Sequence, residues 1–134
     1  MLLIPHLASK PFSALWTVTS GLSFAPLASV PIYSSTKAAL HSFTWSLRHQ
    51  LADTSVRVIE ILPPAVDTDL QAPGLHTFGV NVDVFADSIL ERLSAGETEI
   101  GYGMAESSRV AFRSAFEIAF GNMNKNLHFS APST

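Results

Sequence analysis

Tyr33 and Lys37 stand four residues apart, and Ser20 precedes the tyrosine by thirteen, in the run Thr19-Ser20-Gly21…Pro31-Ile32-Tyr33-Ser34-Ser35-Thr36-Lys37-Ala38-Ala39-Leu40. On a helix, positions i and i+4 share a face, one above the other. The spacing therefore brings an ammonium close to a phenol hydroxyl, and a nearby positive charge favours the phenolate. A tyrosine with an ordinary pKa of about 10 is drawn in this way toward proton transfer near neutral pH. A serine hydroxyl at a neighbouring strand end can then hold a substrate oxygen against it. A bare Tyr-x-x-x-Lys pair is common on helix surfaces, so the context decides. Here a strand-like Leu15-Trp16-Thr17-Val18-Thr19 leads into Ser20-Gly21, a Pro/Ala/Ser loop follows, and then comes the helix that carries the pair.

The elements around these residues follow from periodicity. Residues 1–7 read as the frayed end of a helix, stopped by Pro5 and the Ser9-Lys10-Pro11 turn. Residues 14–19 favour a strand, and 21–31 a loop broken by Pro26 and Pro31. The longest helix is predicted over 32–53, with Leu40, Phe43, Leu47 and Leu51 on its apolar stripe and His41, Arg48 and Gln50 off it. Pro31 suits its first turn. Val56–Leu62 is a strand between Asp53-Thr54-Ser55 and Pro63-Pro64. Residues 71–82 are punctuated by Gly and Pro. A helix over 83–94, with Val84, Ile89 and Leu93 inward, ends at Gly96. A short strand follows at 99–102, then a helix over 107–121 with Val110, Phe112, Phe116 and Phe120 as its apolar positions, then a polar tail at 122–134. Alternating strands and helices predict parallel βαβ units: an α/β fold, part of a Rossmann-like doubly wound sheet of three strands with three to four helices over 1–121.

Only 14% of the 134 residues are charged, against about 25% in typical domains, which points to a large buried fraction or to surfaces that meet other protein. The net charge of −3 and the absence of a basic run argue against nucleic acid or an anionic membrane as partner. There is no cysteine, so disulfides and thiolate metal sites are excluded. No charged residue lies between Lys10 and Lys37, but Pro11, Pro26, Pro31 and many Ser and Thr interrupt that stretch, and no apolar run of about 18 residues exists. The first residues lack the basic region of a secretory signal. A cytoplasmic protein is expected.

The Ser20–Tyr33–Lys37 set, with its flanking loop and helix, resembles the active-site region of the short-chain dehydrogenase/reductase family, in which serine, tyrosine and lysine at this spacing form the catalytic set. Pro63-Pro64-Ala65-Val66-Asp67-Thr68 stands where the family carries Pro-Gly-x-x-x-Thr, so the resemblance implies that Pro63 and Thr68 join Tyr33 and Lys37 in binding NAD or NADP. Pro64 replaces the family's glycine; it removes a backbone N–H and fixes φ. The resemblance implies hydride transfer between NAD(P)(H) and a small carbonyl or alcohol substrate. Tyr33 would be the proton donor and acceptor, Lys37 would aid it and hold the nicotinamide ribose, and Ser20 would bond the substrate oxygen. It also implies a homo-oligomer formed through helix 32–53.

The resemblance covers the family's second half. No Gly-x-x-x-Gly-x-Gly loop opens a helix, so the pyrophosphate cradle of a dinucleotide site is not among these residues. The family's catalytic asparagine would fall upstream of Met1. A truncated reductase, inactive alone, is the expectation; the alternative is a non-enzymatic fragment or partner-binding module that kept the motif by descent. A sheet that begins with the strand at 14–19 would also leave that strand with an open edge.

Other candidates weigh less. His6, His41, His49, His76 and His128 show no metal spacing, and no metal site is expected. His41, one turn after Lys37, either approaches the substrate cleft or packs. Asp67 and Asp69 read as solvated turn residues, and the Phe112, Phe116, Phe120 stripe as core or interface.

Overall fold

The computed structural model describes residues 3–70 and 72–126. The chain runs α1 (Leu3–Ala8), β1 (Ser13–Val18), a 3₁₀ turn (Gly21–Ser23), α2 (Pro31–Gln50), β2 (Val56–Leu62), β3 (Val66–Asp67), β4 (Val80–Asn81), α3 (Val82–Ser94), β5 (Glu99–Gly101) and α4 (Met104–Asn124). Three strands form a parallel sheet in the order β1-β2-β5, with Trp16 opposite Ile59 and Ile61 opposite Ile100. Among the described residues β1 pairs on one side only.

Side chains alternate across β2 because successive residues of a strand point to opposite faces. Val56 and Val58 meet Leu47 of α2, Leu51 just past its end and Ile4 of α1. Ile59 and Ile61 meet Ile89 of α3 and Ile100 of β5. Helices thus cover both faces of the sheet, which is the doubly wound arrangement the βαβ order requires.

The helix ends follow local chemistry. Pro31 occupies the first turn of α2, where its missing N–H is no loss. Asn81 caps α3 by accepting from the amides of Asp83 and Val84. Gly96, at φ 91°, takes the left-handed position just past the end of α3. Helix α2 stops at Gln50, three residues short of the predicted 53, where the Leu51 amide turns back to the Leu47 carbonyl. Helix α4 extends past the predicted 121 to Asn124. Of the predicted tail, residues 127–134 lie outside the described residues.

Four expectations about facing are corrected. Phe43 is exposed, and the buried face of α2 consists of Ser34, His41, Thr44 and Leu47. The stripe is rotated by about one position because polar partners on the sheet, described below, hold His41 and Thr44 inward. Val84, Val110 and Phe112 are also exposed. In α3 the inward residues are Phe85, Ile89 and Leu93. The segment 71–82 contains a two-residue parallel pairing of β4 with β3. Gly79 permits it, since a Cβ there would lie 2.6 Å from the Val66 carbonyl carbon.

Candidate active site

The β1–β2 ladder continues past the strand ends. The Thr19 amide donates to the Ile61 carbonyl at 2.9 Å, and the Gly21 amide to the Pro63 carbonyl at 3.2 Å. Ser20 therefore sits at the carboxyl edge of the sheet, beside Pro63. It is buried, and its Oγ accepts from the Leu22 amide at 3.2 Å, which caps the 3₁₀ turn. That bond leaves the hydroxyl proton of Ser20 available to donate.

Helix α2 starts against this edge. The Leu27 amide donates to Ser34 Oγ at 3.3 Å, so the intervening loop is tied to the first turn. Tyr33 is more than one-third exposed, on the open side of that turn. Lys37 lies one turn on, with Nζ 5.6 Å from the centre of the Tyr33 ring, within cation–π range. The same ammonium donates to the Val18 carbonyl at 2.8 Å. The lysine thus joins the tyrosine's turn to the strand end that carries Ser20. Burial holds the Lys37 pKa below its ordinary 10.5.

Thr68 lies just beyond β3, half-buried, and accepts from the Leu70 amide at 3.4 Å. Ser20, Lys37 and Pro63 meet at one sheet edge and Tyr33 stands over Lys37, while Thr68 belongs to the adjoining β3 segment. Asp67 and Asp69 are both exposed. Phe116 and Phe120 pack on Trp45 of α2 at 4.9 and 5.4 Å between ring centres, while Phe112 stacks on Phe24 at 6.5 Å.

Behind the site lies a polar cluster that sequence reasoning divided wrongly. Glu60, in the middle of β2, is fully buried. Its Oε1 accepts from Thr19 Oγ1 at 2.7 Å and lies 2.8 Å from His41 Nδ1; its Oε2 lies 3.0 Å from the same nitrogen. Thr44 Oγ1 donates to Thr17 Oγ1 at 2.9 Å across the same interface. Of the two roles weighed for His41, packing is what the structure shows: its ring sits among Phe24, Trp45 and Phe116. Glu60 was missed, although a signal existed. Arg57 and Glu60 are three residues apart and cannot share a strand face. A strand between parallel neighbours is covered on both faces, so an acid in its middle had to be buried whichever way it points.

Beyond the sheet, Glu106 at the start of α4 bonds Arg109, Arg92 and the Gly101 amide. Burial pushes its pKa up, but the bonds and charges of these partners outweigh that and hold it at about 2.

A three-strand parallel sheet between helix layers, with polar side chains gathered at the carboxyl ends of its strands, is a Rossmann-like arrangement. The family pattern described as short chain dehydrogenase matches residues 1–77, and the chain belongs to that family. It is 45% identical over 128 residues to the Bacillus subtilis (strain 168) protein named "Uncharacterized oxidoreductase DltE", covering 92% of this chain and 51% of that relative. It is 38% identical over 69 residues to an uncharacterized oxidoreductase of Staphylococcus aureus (strain USA300), covering 52% of this chain and 30% of the relative. The chain thus spans about half, or less, of the curated relatives it matches. Among solved structures, a short chain dehydrogenase from Burkholderia cenocepacia J2315 in complex with NADP is 28% identical with a TM-score of 0.70, over 89% of this chain and 50% of that one. A short-chain dehydrogenase from Sphingobium yanoikuyae in complex with NADPH shares the fold at a TM-score of 0.72 and 21% identity, over 98% of this chain and 52% of that one. Among the described residues no helix is long and apolar enough to cross a membrane.

Proposed function

We propose that these residues form the catalytic half of an NAD(P)-dependent oxidoreductase that interconverts a small carbonyl compound and its alcohol. The observation that carries this reading is the Lys37 ammonium, which is poised over the Tyr33 ring while bonded to the strand end next to Ser20. A bound nicotinamide would supply or accept the hydride. The residues present suit the nicotinamide-ribose end of such a cofactor. Lys37 has three N–H donors and spends one on Val18, which leaves two for ribose hydroxyls; Pro63 is bonded at the same edge through the Gly21 amide. The NADP complex of the Burkholderia relative supports the choice of cofactor class.

In this reading the Tyr33 hydroxyl gives its proton to the substrate oxygen in reduction and takes it back in oxidation. The Lys37 charge stabilises the negative charge that develops on the phenol oxygen. Ser20 donates its hydroxyl proton to the substrate oxygen and orients it. The pyrophosphate has no glycine-rich cradle within these 134 residues, so the chain by itself is expected to be inactive. The exposed Ile32 and Phe43 on α2 support pairing of this helix with a second copy in the assembled enzyme.

The test joins the chain to the part of the Bacillus subtilis relative that it does not match and follows NADPH and NADH oxidation with a panel of aldehydes and ketones. Turnover is expected, and Tyr33→Phe is expected to abolish it without changing the unfolding midpoint. Turnover retained in Tyr33→Phe would refute the assignment. Calorimetry of the unjoined chain with NADPH is expected to give no measurable heat of binding.

A further inference from the structure

We propose that Glu60 is a positioning residue of the candidate site: its buried carboxylate fixes the strand end that carries Ser20 to the helix that carries Tyr33 and Lys37. The proposal rests on the reading of Ser20, Tyr33 and Lys37 given above. Its geometry is short and direct. Thr19, which donates to Oε1, lies between Val18, whose carbonyl holds Lys37, and Ser20. His41, which meets both carboxylate oxygens, lies one helical turn after Lys37. One side chain therefore holds the immediate neighbour of Ser20 and the next turn after Lys37.

Stability does not explain an acid at this place. The same face of β2 carries Val56, Val58 and Leu62, all buried apolar residues. Taking a carboxylate and an imidazole out of water costs several kcal/mol before any attraction is gained. An apolar residue packed against α2 would hold the layers together at least as well. It would not, however, fix their relative slide. A carboxylate that accepts from two directions does so, because each bond tolerates only a few tenths of an ångström and some tens of degrees. The Thr44–Thr17 bond, one turn further along α2, adds a second fixed point on the same strand.

The experiment uses the chain itself, without cofactor, so its outcome is independent of the turnover assay that tests the oxidoreductase reading. The variants are Thr19→Val, Thr19→Ser and Glu60→Gln. Two NMR signals are followed, the imidazole nitrogens of His41 and the titration of the Lys37 ε-methylene, together with the urea midpoint. In the wild type, His41 is expected to carry its proton on Nδ1, and Lys37 to titrate below a free lysine. In Thr19→Val the Lys37 midpoint falls further below that of a free lysine, because the Val18 carbonyl that favours the charged ammonium slips from it, and Thr19→Ser, which keeps the hydroxyl, restores it. In Glu60→Gln the His41 nitrogen signals shift as well. If Glu60→Gln does not fold, the threonine pair carries the test alone. A change in the urea midpoint with both NMR signals unmoved overturns the proposal, as does a Thr19→Ser variant that behaves like Thr19→Val.

Discussion

Replacing Glu106 by glutamine should remove a stabilisation that depends on pH, and the structure sets its size. The carboxylate serves Arg109, Arg92 and the Gly101 amide at once. Burial raises its pKa, and these partners more than reverse that, taking it from an ordinary 4.5 to about 2. At 1.36 kcal/mol per pH unit, this fall would be worth roughly 3.4 kcal/mol without screening. Water reaches about a quarter of the Glu106 and Arg92 side chains, which are 27% and 25% exposed, so we expect about half of that, ~1.5 kcal/mol. The sign follows from a depressed carboxylate. The contribution is complete above 4.5 and is lost as pH falls toward 2, because the unfolded chain binds the proton first. The assay is urea unfolding of wild type and Glu106→Gln, followed by circular dichroism at about pH 7 and about pH 3. With a slope of about 1–3 kcal/mol per molar urea, the variant midpoint should lie lower by roughly 1 M at neutral pH, and the gap should narrow in acid. A gap that stays constant with pH, or none at neutral pH, would refute the account.

Two further outcomes are expected. Lys37 should titrate below 10.5, because burial penalises its charged form. The unfolded chain then binds more protons between the two values, so stability rises with pH across that window; an NMR midpoint at or above 10.5 would contradict this. Gly21→Ala should cost about 1–3 kcal/mol by overpacking, since its Cβ would lie 2.8 Å from both Cα and Cβ of Ala105. Thermal unfolding measures it, and an unchanged midpoint would show that α4 can yield there.

The elements that sequence reasoning found share a property: their signals are local. Val56–Leu62 matched residue for residue because a β-branched run lies between turn residues and two prolines. Helix α3 ended where Gly96 supplies a positive φ. The β3–β4 pairing left no trace, because two residues carry no periodicity and the contact depends on the missing Cβ of Gly79. The inward face of α2 was misjudged for a different reason. Apolar spacing chose Leu40 and Phe43, while the structure turns His41 and Thr44 inward to partners on Glu60 and Thr17. Periodicity counts apolar residues and is blind to a polar face that is satisfied from across the interface. The Ser20–Tyr33–Lys37 spacing was legible because all three lie within one strand–loop–helix unit. The clamp behind them was not, since Thr19 and Glu60 are 41 residues apart in the chain.

The one-sided pairing of β1 has a consequence for Lys37. In a parallel ladder, alternate residues turn both backbone groups to the same neighbour. Ser13 and Thr19 donate toward β2, so Ala14, Trp16 and Val18 turn theirs the other way. Of these outward carbonyls, that of Val18 is the one the Lys37 ammonium holds. A strand zipping onto β1 from its start would meet groups at Ala14 and Trp16 that pair with no strand among the described residues, and a lysine at the last tooth. A carbonyl oxygen accepts two hydrogen bonds, so at that tooth an added strand and the ammonium would share one oxygen, and completing the sheet would leave Lys37 anchored beside Tyr33.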